Sequence, residues 1–328
     1  MIHGGCVWDR GDPSEWMDFS ANLRPEGPPP WVEEAVLDAR KYIRFYPDPA
    51  MKRAGKGLSL FLGLPEECVL PVAGGIAAID LLLGLSSGRV LVCPPTFGEY
   101  AARAAVHGRP CEAWAENCRK GDTLVVCNPN NPTGEAKAPR DLLSLWETLA
   151  AGSGELLVDE AFSAYCPENS MRGFLRPGLA IAGSLSKILG TPGIRLGYIC
   201  ADPETVRLLR GRLYPWPLDA FAAEIAARLP EHMDEIRADA ALNARRRSAF
   251  AKQLAELGAD VFPSRANFLL ADFHRDMLPA ADLLSSRVIL VRTCSSFGLP
   301  GSFWRLAVRT ETENTRLAEE LEDILHVR

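Results

Sequence analysis

The sequence predicts an α/β protein with a mostly parallel sheet between layers of helices, followed by a smaller α+β unit. Two observations predict the sheet. Short apolar runs rich in β-branched residues recur along the chain, and helical stretches separate several of them. Continuous apolar strands are typical of parallel sheets buried on both faces. The runs lie at 89–93, 123–127, 155–159, 179–184 and 196–201.

The other elements of this first part follow in order. Residues 1–30 are polar, and we expect them to form an N-terminal arm. Three prolines at the end of the arm predict a helix from Trp31 to about Ile43, because proline is tolerated in the first turn of a helix. Further helices are predicted at 75–86, 97–107 and 139–151.

A second unit is predicted after the run Arg-Leu-Tyr-Pro-Trp-Pro at 212–217, which breaks the alternation. A long helical region follows it, and then three strand-like runs and a closing helix. We therefore predict a large domain at 31–214 and a small α+β domain at 215–328, with the arm 1–30 packed against the small domain. The helical region and the three runs lie at 218–257, 267–271, 288–292 and 303–308.

The composition argues against several classes of protein and site. A net charge of −6 disfavours nucleic-acid binding, which uses a basic face. No apolar run reaches the ~18 residues of a membrane span. The five histidines are scattered and no Cys-x-x-Cys pair occurs, so we expect no metal site. The first residues do not resemble a signal peptide, so we expect a cytoplasmic protein with reduced cysteines.

Ligand sites of such sheets lie at the carboxyl ends of the strands. After an apolar run at 68–73, Gly75, Ile76 and Ala77 open a helix whose free amides could hold a phosphate, although small residues at a helix start are common. Phe97 follows the next strand, where it would be either a ring over the site or a core residue.

Polar residues follow three further strands. Asn131 lies in an Asn- and Pro-rich turn, and Asp159 ends an apolar run, where an unpaired carboxylate would be costly. Lys187 is one of only seven lysines among 36 basic residues. It follows Ser184 and Ser186 and precedes Arg195 by eight residues.

Together these side chains fit pyridoxal 5′-phosphate. That cofactor needs a lysine for its Schiff base, an acid at its ring nitrogen and partners for its phosphate. A buried lysine beside cations stays more readily in the neutral form that a nucleophile requires. We therefore predict Lys187 as the catalytic lysine, with Ser184 and Arg195 as phosphate ligands.

The order of these motifs resembles the fold-type I pyridoxal phosphate enzymes, the aspartate aminotransferase superfamily, over nearly the whole chain. The resemblance implies a seven-stranded type of sheet and a homodimer with shared active sites. It implies that Asn131 binds the ring hydroxyl, that Phe97 stacks on the ring and that Asp159 pairs with the ring nitrogen. The implied cofactor-binding set is Gly75, Ile76, Ala77, Phe97, Asn131, Asp159, Ser184, Ser186, Lys187, Arg195 and, from the neighbouring subunit, Tyr46.

Within that superfamily the chain resembles two groups. The Tyr-Pro-Asp-Pro motif at 46–49 and the short length resemble the histidinol-phosphate aminotransferases. The His-Gly-Gly at 3–5, the Asp-Phe-Ser-Ala-Asn at 18–22 and the Arg-Thr-Cys-Ser-Ser-Phe-Gly from 292 resemble the threonine-phosphate decarboxylases of cobalamin synthesis. The resemblance implies that a phosphorylated amino acid is the substrate. The implied substrate-binding set is Ser20, Asn22, Arg292, Arg305 and Arg309.

In this set Arg305 would bind the α-carboxylate in bidentate fashion, and which of Arg292 and Arg309 meets the phosphate stays open. Two departures bear on the choice of group. The loop after the first strand lacks the Asn-Gly-x-Thr-Glu usual in the superfamily, so the phosphate would depend on backbone amides, Ser184, Ser186 and Arg195. Phe162 stands where the aminotransferases carry a tyrosine, which favours the decarboxylases.

Three functions were weighed. Decarboxylation of L-threonine O-3-phosphate to (R)-1-aminopropan-2-yl phosphate is preferred, and amino transfer to 2-oxoglutarate, as in the histidinol-phosphate type, is the alternative. A non-catalytic regulator would carry a DNA-binding domain before residue 30, and a decayed enzyme would have lost Lys187 or Asp159. The sequence favours neither of these last readings.

Overall fold

The computed structural model describes residues 3–8 and 10–326. The strands of the described chain form three sheets. They are β1 (Met17–Asp18), β2 (Val69–Val72), β3 (Val90–Val92), β4 (Cys111–Ala113), β5 (Thr123–Cys127), β6 (Glu155–Asp159), β7 (Leu179–Ser184), β8 (Gly197–Cys200), β9 (Asp260–Val261), β10 (Phe268–Asp272), β11 (Ile289–Leu290), β12 (Arg292–Thr293) and β13 (Phe303–Ala307).

The helices surround these sheets. They are α1 (Pro30–Ala39), α2 (Lys52–Leu62), α3 (Gly75–Leu83), α4 (Glu99–Val106), α5 (Pro139–Ala151), α6 (Pro203–Arg210), α7 (Ala220–Arg228), α8 (Met233–Glu256), α9 (Leu278–Ser286) and α10 (Glu311–His326). The helix expected to reach Ile43 ends at Ala39, and a 3-10 turn follows it. Within the described residues, no helix is long and apolar enough to cross a membrane.

The large sheet has seven strands in the order β2-β8-β7-β6-β5-β3-β4. Only β8 runs antiparallel to its neighbours β7 and β2, so the predicted mostly parallel sheet is confirmed. Every residue of β5 is buried, as expected of a strand covered on both faces. The sequence missed β4, because the short, half-exposed run Cys-Glu-Ala lacks the β-branched residues of the central strands.

A smaller antiparallel sheet has the order β12-β13-β10-β9, and β1 pairs with β11 in parallel. Through this pair the arm lies against Ile289 and Leu290 of the C-terminal part of the chain. Phe19 of the arm also belongs to the second apolar core, with Phe250, Trp304 and Leu317.

The main apolar core covers both faces of the large sheet. It includes Ile225 of α7, and α7 packs against α1 and α2. The proline-rich break at 212–217 therefore marks a change in chain direction rather than the edge of this core. The boundaries 1–30, 31–214 and 215–328 remain a prediction.

The sheet register aligns the ends of the central strands. Cys127 pairs with Asp159, and Asp159 pairs with Ala182. Because β5, β6 and β7 are parallel, the loops that follow them leave the same edge of the sheet. Asn131, Asp159 and Lys187 lie on those loops or at those strand ends.

Candidate active site

The first turn of α3 lies close to the side chains of Arg195 and Ser184. Gly74 precedes the helix at φ +90°, and a Cβ there would lie 2.7 Å from Nη2 of Arg195. A Cβ on Gly75 would lie 3.2 Å from Cβ of Ser184. The backbone of this turn, which continues through Ile76 and Ala77, is therefore open to a small anion. Helix amides and a guanidinium are well suited to a phosphate.

Ser186 adds a buried hydroxyl to this region. The residue is 3% exposed, and its Oγ has no hydrogen-bond partner among the described residues. A buried hydroxyl without a partner costs free energy unless a ligand or water satisfies it. Ser186 therefore presents an unused donor and acceptor.

Asp159 is buried at the end of β6 with two neutral donors. Its Oδ2 accepts a hydrogen bond from the Tyr100 hydroxyl at 2.6 Å, and its Oδ1 accepts one from the Ala161 amide at 3.0 Å. Burial raises the pKa of Asp159, while these two hydrogen bonds and the Lys187 ammonium act in the opposite direction. The carboxyl group can accept a further hydrogen bond from a cationic ring nitrogen.

Phe97 lies close to this carboxyl group. Its ring meets the Tyr100 ring edge-on, with 5.6 Å between centroids and an angle of 88° between planes. The ring of His3 also meets it edge-on, with 6.4 Å between ring centroids. The Phe97 ring is only partly buried, so one face can receive a planar ligand.

Lys187 lies just beyond the end of β7, and its side chain is half-buried. Burial lowers its pKa to about 8, and the charges of Arg305 and Arg195 act in the same direction, while Asp159 opposes them. Its backbone oxygen accepts a hydrogen bond from the Arg24 amide of the arm at 3.0 Å. Near pH 8, Lys187 is therefore a neutral, nucleophilic amine in a large fraction of the protein molecules.

Arg305 joins the small sheet to the large one. Its Nη1 donates to Asn131 Oδ1 at 2.7 Å, and its Nη2 donates to the Ser20 carbonyl of the arm. Burial lowers the pKa of Arg305 to about 10. Its Nε has no partner among the residues that the structure describes, so the guanidinium keeps a donor for a ligand.

Arg292 lies directly opposite Arg305 on the β12–β13 ladder. Opposed residues of an antiparallel pair place their side chains on the same face, with Cβ atoms ~5 Å apart. Nη2 of Arg292 donates to Ser296 Oγ at 2.6 Å, and the guanidinium lies 5.3 Å from the Phe297 ring centroid. Two cations therefore face the same side of this sheet, which favours anionic ligands.

The arm contributes Ser20 and Asn22 in different ways. The Ser20 hydroxyl donates to Asp18 Oδ1 at 2.6 Å and accepts from the Gly5 amide at 2.8 Å, so it binds within the arm. The Ser20 carbonyl, rather than its hydroxyl, reaches Arg305. The Asn22 side chain is buried, and in the described chain its Oδ1 lacks a partner.

Two predicted residues have contacts elsewhere. Arg309 forms an ion pair with Glu313 at 2.6 Å and donates to the Asp18 carbonyl at 2.9 Å, so its contacts favour anchoring the arm over binding a substrate. Tyr46 is 79% exposed and stacks on Trp216 with 4.3 Å between ring centroids. It lies on the protein surface, and its ring contact is with Trp216 rather than with the residues around Lys187.

Sequence reasoning missed Tyr100. The residue resembled a core aromatic in the first turn of a helix, and nothing in the local sequence indicated a carboxylate partner 59 residues away. Its position three residues after Phe97 was the available signal, because the helix predicted at 97–107 would place both rings on one face. In the structure α4 begins only at Glu99, and the two rings still meet edge-on.

The assembled residues fit the cofactor that the sequence predicts. An anion site at the start of α3, a buried carboxylate, a half-buried amine and an aromatic face converge at one edge of the sheet. Three buried polar atoms of the described chain lack partners in this region, which is expected where a polar ligand binds. They are Ser186 Oγ, Asn22 Oδ1 and Arg305 Nε.

Comparisons with known proteins identify the family of this chain. The family model of class I and II aminotransferases matches residues 14–321. The threonine-phosphate decarboxylase of Salmonella typhimurium is 28% identical over 98% of this chain and 96% of the relative. The histidinol-phosphate aminotransferase of Cronobacter sakazakii is 31% identical over 90% of this chain and 87% of the relative.

Solved structures share the fold. The histidinol-phosphate aminotransferase from Clostridium acetobutylicum has a TM-score of 0.87 at 25% identity and covers 95% of this chain and 100% of its own. That of Sinorhizobium meliloti, solved in complex with pyridoxal-5′-phosphate, has a TM-score of 0.83 at 20% identity, with 94% and 90% covered.

Proposed function

This chain belongs to the class I and II aminotransferase family, and from that premise we propose that it decarboxylates L-threonine O-3-phosphate. It is an enzyme that depends on pyridoxal 5′-phosphate. The product would be (R)-1-aminopropan-2-yl phosphate, a step of cobalamin biosynthesis. We expect this reaction in the cytoplasm.

The opposed arginines of β12 and β13 carry this proposal. L-Threonine O-3-phosphate has two anionic groups, a carboxylate and a phosphate, separated by only a few bonds. Arg305 can bind the carboxylate with the help of Asn131, and Arg292 lies beside it for the phosphate. Histidinol phosphate has a phosphate but no carboxylate, so this donor would use only one of these cations, whereas the acceptor 2-oxoglutarate, with two carboxylates, would use both.

The residues of the site would divide the work as follows. Once bound, pyridoxal phosphate draws electrons from the Cα bond that breaks. Asp159 holds the ring nitrogen, and Phe97 holds the ring face. Arg305 sets the direction of the substrate carboxylate, and therefore which Cα bond stands perpendicular to the ring. Lys187 Nζ would take up a proton from the ammonium group of the incoming substrate and would give it to Cα in place of the departing CO₂.

Phe162 supports loss of CO₂ over amino transfer. It is buried and packs edge-on against Phe268, with 5.0 Å between ring centroids. Arg305 lies over the same Phe268 ring at 5.6 Å. The position where related aminotransferases carry a tyrosine hydroxyl is therefore apolar here, and it lies beside the arginine that would orient the carboxylate.

We also propose that two copies of the chain share their active sites. Tyr46 would contact the cofactor phosphate of the neighbouring subunit. An exposed aromatic group surrounds it, and such a patch favours an interface. It consists of Tyr42 and Phe45, which line one pocket with Tyr46, and Trp216, which stacks on Tyr46.

A histidinol-phosphate aminotransferase is the second candidate. Relatives of that name reach 30–31% identity, and the Tyr-Pro-Asp-Pro motif at 46–49 is present here. Lys187, Asp159 and Asn131 would serve either reaction, because the two differ in which Cα bond is oriented for cleavage.

The test uses pure protein loaded with cofactor and mixed with L-threonine O-3-phosphate. We expect CO₂ release over many turnovers, with the absorbance of the cofactor returning to its starting spectrum. The matched control uses L-threonine, which lacks the phosphate. Absence of CO₂, together with conversion of the cofactor to its amine form by histidinol phosphate and its return by 2-oxoglutarate, would establish the aminotransferase instead.

A further inference from the structure

Tyr100 is a fully buried residue that the proposed division of labour leaves unused. It lies in the first turn of α4 and has no exposed surface. Its hydroxyl donates to Asp159 Oδ2 at 2.6 Å, and its ring meets Phe97 edge-on at 5.6 Å. One side chain therefore contacts both the carboxylate proposed for the ring nitrogen and the ring proposed for the cofactor face.

We propose that Tyr100 is a positioning residue that keeps Asp159 ionised and aims its carboxylate at the ring nitrogen of the cofactor. The inference rests on the proposed pairing of Asp159 with that nitrogen. It does not depend on whether decarboxylation or amino transfer follows, because both need a protonated ring.

The surroundings of Asp159 explain why a donor is needed. Burial favours the uncharged acid, which could not hold a proton on the ring nitrogen. The titratable groups that face Asp159 are Tyr100 from α4, Cys127 from β5 and Lys187 beyond β7. Lys187 would no longer present a free ammonium group to Asp159 when it is bonded to the cofactor, so it would not give the carboxylate constant support.

Tyr100 stays protonated under all working conditions. Burial, with the charge of Asp159, holds its pKa well above the usual value of a phenol. Burial likewise raises the pKa of the Cys127 thiol. Asp159 is thus the acid of this group that ionises, and the Tyr100 hydroxyl stabilises its charged form by a hydrogen bond.

The two hydrogen bonds also fix the orientation of the carboxylate. Oδ1 is held by the Ala161 amide at 3.0 Å and Oδ2 by the Tyr100 hydroxyl. Each carboxylate oxygen has two acceptor sites, so one on each remains for the ring nitrogen. Because the Tyr100 ring is also packed against Phe97, the carboxylate and the stacking ring keep a fixed relation.

The test measures cofactor binding by the cofactor-free protein. Tyr100→Phe removes only the hydroxyl, and we expect roughly 10- to 100-fold weaker binding of pyridoxal phosphate. An analogue with carbon in place of the ring nitrogen should bind to both proteins equally. The matched control is Tyr198→Phe, which removes another buried hydroxyl from the same core.

The pH dependence gives a second readout that a merely structural role would not move. In Tyr100→Phe the carboxyl group of Asp159 should bind its proton more readily. On acidification, the affinity for pyridoxal phosphate should therefore be lost at a higher pH than in the unaltered protein. Replacing Tyr100 with 3-fluorotyrosine keeps the shape and strengthens the donor, so that midpoint should move to lower pH. This replacement keeps the test available if Tyr100→Phe does not fold.

Three outcomes separate the possible failures. Equal loss of affinity for the cofactor and its analogue in Tyr100→Phe, with unchanged pH midpoints, would show that Tyr100 merely packs. If Asp159→Asn weakens binding of the cofactor more than binding of the analogue, and Tyr100→Phe does not, the inference on Tyr100 fails while the pairing of Asp159 stands. If Asp159→Asn binds both ligands like the unaltered protein, the pairing fails, and the inference with it.

Discussion

Arg305 and Asn131 form a hydrogen bond of 2.7 Å between the two sheets, although 174 residues separate them in the sequence. Arg305 comes from β13 of the small sheet, and Asn131 follows β5 of the large one. The Nη2 of the same guanidinium holds the arm at Ser20. The proposed substrate site is therefore built from three distant segments that meet at one buried cation.

Removing the Lys187 amine should abolish turnover. Lys187→Met keeps a long unbranched side chain but has no nucleophile or proton carrier. We expect no CO₂ release above background and loss of the absorbance of the covalently attached cofactor. Lys252→Met, at an exposed position of α8, is the control and should keep both. Turnover by Lys187→Met would contradict the role of this lysine.

The same substitution should stabilise the cofactor-free protein in a pH-dependent way. The pKa of Lys187 is about 8 when folded and 10.5 when unfolded. Unfolding takes up a proton only between these two pKa values, so the free-energy cost of burying the ammonium is fully present below pH ~8 and is lost as the pH rises towards 10.5. We expect Lys187→Met to be more stable by up to ~3 kcal/mol at pH 7. Denaturant unfolding at pH 7 and pH 10 should show this advantage shrinking; a constant advantage would point to packing alone.

Arg292 should govern recognition of the phosphate. Arg292→Gln removes a cation beside Arg305, and we expect L-threonine O-3-phosphate to bind roughly 10- to 100-fold more weakly. Binding of L-threonine should change little. Titration of the cofactor absorbance with both amino acids measures this. Arg309→Gln, whose guanidinium is paired with Glu313, should not discriminate between the two. The reverse pattern would assign the phosphate to Arg309.

Gly74 should be needed for the cofactor phosphate. Gly74→Ala strains a residue at φ +90° and places its Cβ against Arg195. We expect ~1–2 kcal/mol lower stability and weaker binding of pyridoxal phosphate. Binding of pyridoxal, which has no phosphate, should suffer less. Gly173→Ala is the control, because a Cβ at this position would have no other atom within 4 Å. An equal loss of affinity for both ligands would show that Gly74 does not act on the phosphate.

Subunits with different defects should complement each other if Tyr46 acts across the dimer. Neither Tyr46→Ala nor Lys187→Met should be active alone. Mixed and re-associated at equal amounts, they form hybrid dimers with one intact site, so about a quarter of the normal activity should return. Activity that does not return, in samples shown to contain hybrids by native mass spectrometry, would place Tyr46 outside its neighbour's site.

Sequence patterns located six of the seven strands of the large sheet, all but β4, and the residues at their ends. Apolar runs of five or six residues are a local property, and a buried parallel strand requires them whatever surrounds it. The same holds for Gly74 and Gly75, whose missing side chains are a local condition for an anion at a helix start. Asp159 and Lys187 could be singled out because charged residues next to buried strands need a partner.

Side-chain partners depended on tertiary packing. Arg309 and Arg305 are equivalent in type and lie four residues apart, but one is paired with Glu313 and the other donates to Asn131. The hydrogen bond from Tyr100 to Asp159 likewise follows from the packing of α4 against the sheet. The sequence by itself thus determined the sheet and the residue types at its edge. Only the tertiary structure decided which charges meet, because contacts between distant segments depend on how whole elements pack.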